Sequence, residues 1–256
     1  MQNAIELEIC CGSYRSAEAA LEAGAQRVEL CSGLSEGGLT PSIGLVKAVC
    51  GLKGIVHHVL IRPRGGDFLY GAKEKTIILS DIEACVSAGA EGVVVGGLTT
   101  DGEIDVPFLQ ECVHVAGAAH VTFHRAFDLC RDPFVALQQI ADTGCTRLLT
   151  SGQAATAEIG IPMLRRLVEL TPAHLSIMPG CGVNAGNAAH ILKSTGARNI
   201  HASARRSTPS LMTFRHQGVN MGAKGADEYA TMETSVEEVR NILHSLSEVG
   251  QTFSQR

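Results

Sequence analysis

Apolar and polar positions along this chain fall into a repeated two-part pattern. Four segments with helical apolar spacing each close on glycine, at Gly24-Ala25, Gly89-Ala90, Gly144-Cys145 and Gly196-Ala197, and a short apolar run follows each. Glycine is favoured just past a helix end because it enters the left-handed conformation without steric cost. A helix that closes on glycine and feeds four or five apolar residues is the second half of a βαβ unit. The four runs are residues 27–30, 92–96, 147–150 and 199–202, and four further strand candidates lie between them at 6–10, 55–62, 120–124 and 175–178. Helices are expected at 16–23, 43–49, 75–87, 107–115, 133–143, 161–170 and 185–194. Pro41 after Thr40 and Pro133 after Asp132 stand where a cap and a first-turn proline belong. Ser235-Val236-Glu237-Glu238 is a capping box that opens a last helix over 235–249.

Eight alternating units of this kind predict a parallel sheet covered by helices. They close naturally into an α/β TIM barrel, (β/α)₈, in a single domain spanning 1–256, and a chain of 256 residues is the size of one such barrel. An open, doubly wound sheet is the competing arrangement. Residues 206–232 carry neither period and are expected to form a long loop after strand eight, a lid or a subunit contact.

Composition narrows the setting. The chain is 45% apolar and 18% charged with a net charge of −5, which is globular and gives no basic stripe for nucleic acid or anionic lipid. Charges and glycines break every apolar run short of a membrane span. The first residues run straight into a strand pattern without a secretory leader. The nine cysteines form no CxxC pair, a pattern that suits reduced thiols in the cytoplasm.

Strand parity then sorts the side chains. Leu7, Ile9, Val28 and Leu30 would face the helices, leaving Glu8-x-Cys10 and Glu29-x-Cys31 inside the barrel on neighbouring strands. The strand ends, where such barrels keep their chemistry, carry Arg62, Arg64 and Asp67, then His124 and Arg125, then Ser151, Ser203 and Arg205. Unpaired charge inside a barrel is costly, so Glu8, Glu29, Arg62 and Arg125 are expected to pair with one another. His57 and His58 should split, one to each face. Gly180-Cys181-Gly182 follows strand seven, and its backbone N–H groups together with Ser203 match the usual phosphate position of the fold. No zinc-protease, Walker, nucleophile-elbow or dinucleotide motif is present.

Several blocks closely resemble the CutC copper-homeostasis family. They run from Glu29 to Ser42 and from Ile61 to Tyr70, and include Val121 to Asp128, Leu149 to Gly152, Met178 to Gly180 and His201 to Arg205. The resemblance implies a TIM barrel, a cytoplasmic location, self-association as a homo-oligomer and a role in copper handling. Cys181 departs from the glycine common in that turn. Two functions follow. In the first, Cys10 and Cys31 supply soft thiolates to Cu(I). In the second, the barrel is an enzyme for proton transfer or lyase chemistry on a small anionic or phosphorylated substrate. Glu8 or Glu29 would then be the base and His124 the acid, with Arg62, Arg64, Asp67, Arg125, Ser151, Gly180, Gly182, Ser203 and Arg205 around the anion.

Overall fold

A computed structural model describes residues 5–216, 218–219, 221 and 227–253. Its first half alternates β1 (Glu6–Cys11), α1 (Tyr14–Ala23), β2 (Arg27–Leu30), α2 (Ile43–Val49), β3 (Val56–Leu60), α3 (Ala72–Ser87), β4 (Gly92–Val95) and α4 (Val106–Ala116). The second half continues with β5 (His120–Phe123), α5 (Pro133–Asp142), β6 (Arg147–Thr150), α6 (Ile161–Leu170), β7 (Ser176–Pro179), α7 (Ala188–Thr195) and β8 (Asn199–Ala202). Eight parallel strands in the order β7-β6-β5-β4-β3-β2-β1-β8 make a nearly closed TIM barrel. Every neighbouring pair is hydrogen-bonded except β7 and β8, where the described residues form no ladder.

The local chemistry explains the element ends. Gly24, at φ 94°, caps α1 by donating its N–H to the Ala20 and Leu21 carbonyls, a left-handed geometry that a side chain would strain. Ser13 and Asp132 cap α1 and α5 by accepting backbone N–H groups. Two helix starts differ from expectation by three residues. Helix α3 starts earlier because the Glu74 carboxylate accepts the Gly71 N–H at 2.8 Å and closes an extra turn. Helix α7 starts later because Asn184 and Asn187 hold the preceding turn through their side-chain oxygens.

The segment expected as a loop over 206–232 instead contributes two antiparallel strands, β9 (Arg205–Pro209) and β10 (Ala230–Thr234). Short, exposed and polar, they carry no alternation that a sequence pattern would reveal. Helix α8 (Val236–Phe253) follows. The arm is anchored where Ser13 and Ser16 donate to Glu233 Oε2 at 2.5 and 2.6 Å and Thr234 N–H donates to Ser16 Oγ at 3.0 Å.

Two apolar layers result. Leu7, Ile9, Val28, Leu30, Val59, Val93, Phe123, Leu148 and Ile200 face the helices in one continuous core, and each buried side chain of this size contributes about 1.5–3 kcal/mol. Inside the barrel a separate small cluster gathers Cys10, Cys31, Leu60 and Val94. Strand parity therefore reads correctly. His58 is inside and His57 outside, its Nδ1 3.3 Å from Glu91 Oε2.

Candidate functional site

The register of β1 against β2 sets the interior. Glu8 stands opposite Arg27, and Cys10 opposite Glu29. The two Glu-x-Cys repeats are thus offset, so that a guanidinium meets the first carboxylate and the thiol and second carboxylate share a level. Arg27 Nε donates to Glu8 Oε2 at 2.5 Å, and its other nitrogens reach Glu6 Oε2 at 2.7 Å and Asn199 Oδ1 at 3.2 Å. Burial alone would raise the Glu8 pKa, but Arg27, with His201 behind it, outweighs that and holds the carboxyl well below its usual value. Glu8 is an ionised, sealed anchor.

Strand β8 brings in His201, the partner of Glu8 in the β1–β8 register. Its Nδ1 donates to Glu8 Oε1 at 2.8 Å, which fixes the ring and leaves Nε2 facing Glu29, whose Oε2 lies 3.9 Å away. Burial works against the imidazolium, yet bonds to Cys10 and Glu8 and the nearby carboxylates raise His201 well above its ordinary value. Glu29 moves the other way. Burial first, opposed by His201 and reinforced by the charge on Glu8, pushes its carboxyl up to about 7. Cys10 and Cys31 bring their sulfurs to 3.2 Å. The Cys10 thiol is raised well above its usual range by that contact and by burial. Ligand atoms of Cys10, Glu29 and His201 all lie within 4.8 Å of one another, a spacing that one metal ion could bridge.

Above this floor opens a cavity of about 530 Å³ at the C-terminal ends of the strands. Its walls include Arg62, His124, Arg125, Gly182, Ser203 and Arg205, with Cys10, Glu29 and His201 at the base. Cys31 is fully buried behind Cys10. The other predicted ligands lie elsewhere. Arg64 and Asp67 do not line the cavity. The Arg64 guanidinium is consumed by Asp67, Glu74 and the Gly65, Asp67 and Leu69 carbonyls, which ties down its own loop. Ser151 is buried on Asp128 and the Ala154 carbonyl. Gly180 gives its N–H to the Thr150 carbonyl, so Gly182 and not Gly180 reaches the wall.

The expected pairing of Glu8, Glu29, Arg62 and Arg125 does not occur. Arg62 donates to the carbonyls of Glu36, Gly38 and Gly66 and stacks over Phe68. Arg125 pairs with Asp128 at 2.7 Å. His124, the acid of the sequence reading, lines the cavity. Burial, then the charge of Arg62, lowers its pKa to about 3. Its Nδ1 accepts the Ala126 N–H at 3.1 Å, so the ring is neutral with the proton on Nε2. Three interior groups escaped notice in the sequence. Arg27 and Arg147 sit at strand starts, away from the C-terminal ends where such barrels carry their chemistry, and His201 turns inward by the same parity as Ser203.

Fold and site together define a TIM barrel with a thiol–imidazole–carboxylate floor beneath a rim that mixes Arg62, Arg125 and Arg205 with Glu36 and Asp128. The chain belongs to the CutC family: the family model matches residues 5–206. A CutC family protein of Chromobacterium violaceum is 50% identical over 240 residues, covering 94% of this chain and 97% of that one. One from Bacteroides thetaiotaomicron is 46% identical over 243 residues, covering 94% and 98%. The crystal structure of a candidate copper homeostasis protein CutC from Streptococcus agalactiae superposes with a TM-score of 0.74 at 33% identity, covering 77% of this chain and 97% of that one. Among the described residues no helix is long and apolar enough to cross a membrane.

Proposed function

We propose that this barrel is a copper-homeostasis protein of the cytoplasm that takes Cu(I) as cargo at Cys10 and Cys31. The observation that carries the reading is the pair of sulfurs 3.2 Å apart beside His201 and Glu29. Thiolate and imidazole are the ligands that a soft ion selects. With metal–sulfur bonds of about 2.3 Å, sulfurs this close cannot flank an ion in a straight line. An ion bonded to both therefore sits to one side, where the neighbours are His201 and Glu29. The Glu8–His201 bond is the outer support that metal-binding imidazoles ordinarily have. Because the Cys10 thiol is held protonated, uptake must release a proton and should strengthen as pH rises. The Streptococcus agalactiae relative, named for copper homeostasis, supports the same role. In a Cu(I) competition titration against a chromophoric chelator, Glu8→Gln should weaken binding about 10–100-fold through the imidazole. Cys10→Ser and Cys31→Ser should each weaken it further. Unchanged affinity in both cysteine variants would sink the proposal.

The cavity, far larger than one ion needs, favours a second reading: proton transfer or lyase chemistry on a small anionic substrate. Glu29 is the group suited to be its base, since its carboxyl lines the cavity and is pushed up to about 7, whereas Glu8 is locked under Arg27. Neutral His124 would then serve as a hydrogen-bond donor, not as an acid. Solvent-deuterium exchange into candidate acids, abolished by Glu29→Gln, tests it; exchange that survives that variant refutes it.

A further inference from the structure

One arc of the cavity wall presents donors that no protein group accepts. The loops after β7 and β8 meet across the seam where those strands form no ladder, and Cys181, Gly182, Val183, Ser203 and Arg205 face the cavity there. The backbone N–H groups of Cys181, Gly182, Val183, Ser203 and Ala204 have no hydrogen-bond acceptor among the described residues. Nor does the Ser203 hydroxyl or the Arg205 guanidinium have a protein partner among the described residues. Neighbouring groups are satisfied by the protein: Gly180 N–H goes to the Thr150 carbonyl and Asn184 N–H to Asn187 Oδ1. The open donors are thus a local feature of the two loops.

A second set of unmet donors lies across the same cavity. His124 Nε2 and Arg62 Nε are sealed from solvent without partners, in residues that are 5% and 6% exposed. Buried donors are almost always paired; His57, His58 and Tyr70 also carry unpaired buried atoms, but Arg62 and His124 are the two whose residues line the cavity. Phe68 lies against both, its ring 4.9 Å from the Arg62 guanidinium carbon and 4.9 Å from the His124 ring.

We propose that the cavity binds a small organic phosphate monoester, its phosphoryl group cradled by the loops after β7 and β8 with Ser203 and Arg205, and its remainder reaching toward Arg62 and His124. Four N–H groups in cavity-lining residues, a hydroxyl and a guanidinium, carried by two loops around one cavity, suit a tetrahedral dianion with three free oxygens; a carboxylate would leave several donors unmet. Position agrees, since barrels of this architecture hold phosphate after strands seven and eight. A cavity of about 530 Å³ has room for a molecule of small-metabolite size beyond the phosphoryl group. Of the two readings above, the inference shares the cavity of the second, and it requires no turnover. A site that binds without catalysis leaves it standing.

Titration calorimetry of the full chain with inorganic phosphate, glycerol 3-phosphate and malonate tests it. Saturable binding of both phosphates is expected, the monoester tighter. Arg205→Met should weaken each by about tenfold or more, and Ser203→Ala by several-fold, because each removes a donor to a charged group. Both side chains are partly exposed, and an unchanged circular dichroism melt confirms folding. Arg165→Met, at an exposed arginine of α6 paired with Glu169 outside the cavity, should leave phosphate affinity unchanged, and titrating the metal-free chain separates this site from the copper reading. Absence of saturable phosphate binding, indifference to both rim variants, or malonate binding as tightly as the monoester would each overturn the proposal.

Discussion

Replacing Arg27 with methionine tests the interior most directly. The guanidinium is 3% exposed and holds Glu8 at 2.5 Å, in a carboxylate that is itself 0% exposed. Methionine keeps the apolar stem and deletes the charge, stranding the Glu8 carboxylate with His201 as its remaining close partner at 2.8 Å. His58 cannot substitute, because burial lowers its pKa to about 3 and leaves it neutral 3.8 Å from Glu8. Removing one member of a buried pair costs about 3–5 kcal/mol. At roughly 2–4 °C per kcal/mol for a chain near this size, the melting temperature should fall by about 10 °C. The pH dependence sharpens the test. In the wild type Glu8 titrates below its unfolded value, so its contribution is present above about pH 4.3 and fades as pH falls through its folded pKa. Without Arg27 the burial that opposes ionisation prevails, the folded pKa rises, and the penalty is full at neutral pH and relieved as pH falls. The gap between variant and wild type should therefore shrink from pH 8 to pH 5 in urea titrations. Adding Glu8→Gln to Arg27→Met should restore about 1–3 kcal/mol relative to additivity. A single variant within 1 kcal/mol of wild type, or a gap constant with pH, would refute this account of the interior.

Two further outcomes follow from the rim. Asp128 accepts from Arg125, Thr150 Oγ1, the Ser151 N–H and hydroxyl and the Gln153 N–H, and so shapes the turn after β6 in which Gln153 sits at φ 57°. Asp128→Ala should cost about 3 kcal/mol in urea unfolding, and a loss under 1 kcal/mol would contradict that organising role. Gly160 approaches the same turn so closely that an added Cβ would fall 1.8 Å from the Ser151 carbonyl oxygen. Backbone on both sides cannot yield cheaply, so Gly160→Ala should abolish soluble expression or lower the melting temperature by several degrees; an unchanged melt would show that the loop moves freely.

How much of this was legible beforehand follows from the reach of each signal. The alternation of short apolar runs with glycine-closed helices is local, and it located all eight barrel strands to within a residue or two. Facing was legible for the same reason: parity is a property of one strand. What joins strands is not local. The two-residue offset that sets Cys10 beside Glu29 and Glu8 beside Arg27 is a matter of register, invisible in either strand alone. Charge pairing was misjudged as a consequence, since counting carboxylates and arginines cannot say that Arg62 spends itself on the carbonyls of Glu36, Gly38 and Gly66. The β9–β10 arm was missed for the opposite reason. Its strands pair with each other through backbone, with side chains exposed or half-buried except Thr234, which leaves no apolar pattern to read.

The interior charges separate by height into a structural lattice and, above it, the candidate site. Toward the N-terminal ends of the strands Glu6, Arg27, Arg147 and Asn199 form a closed set, with Arg147 lowered to about 10 by burial and by Arg27. Such a set is a poor source of net stability, because apolar side chains of equal volume would serve as well. Its effect is directional. Arg27 keeps Glu8 ionised, Glu8 orients His201, and His201 turns Nε2 toward Glu29 and Cys10 at the base of the cavity. Each charge below is explained by the group it positions above. Glu29, bound by no guanidinium and facing the cavity, is the point at which the lattice ends and the site begins.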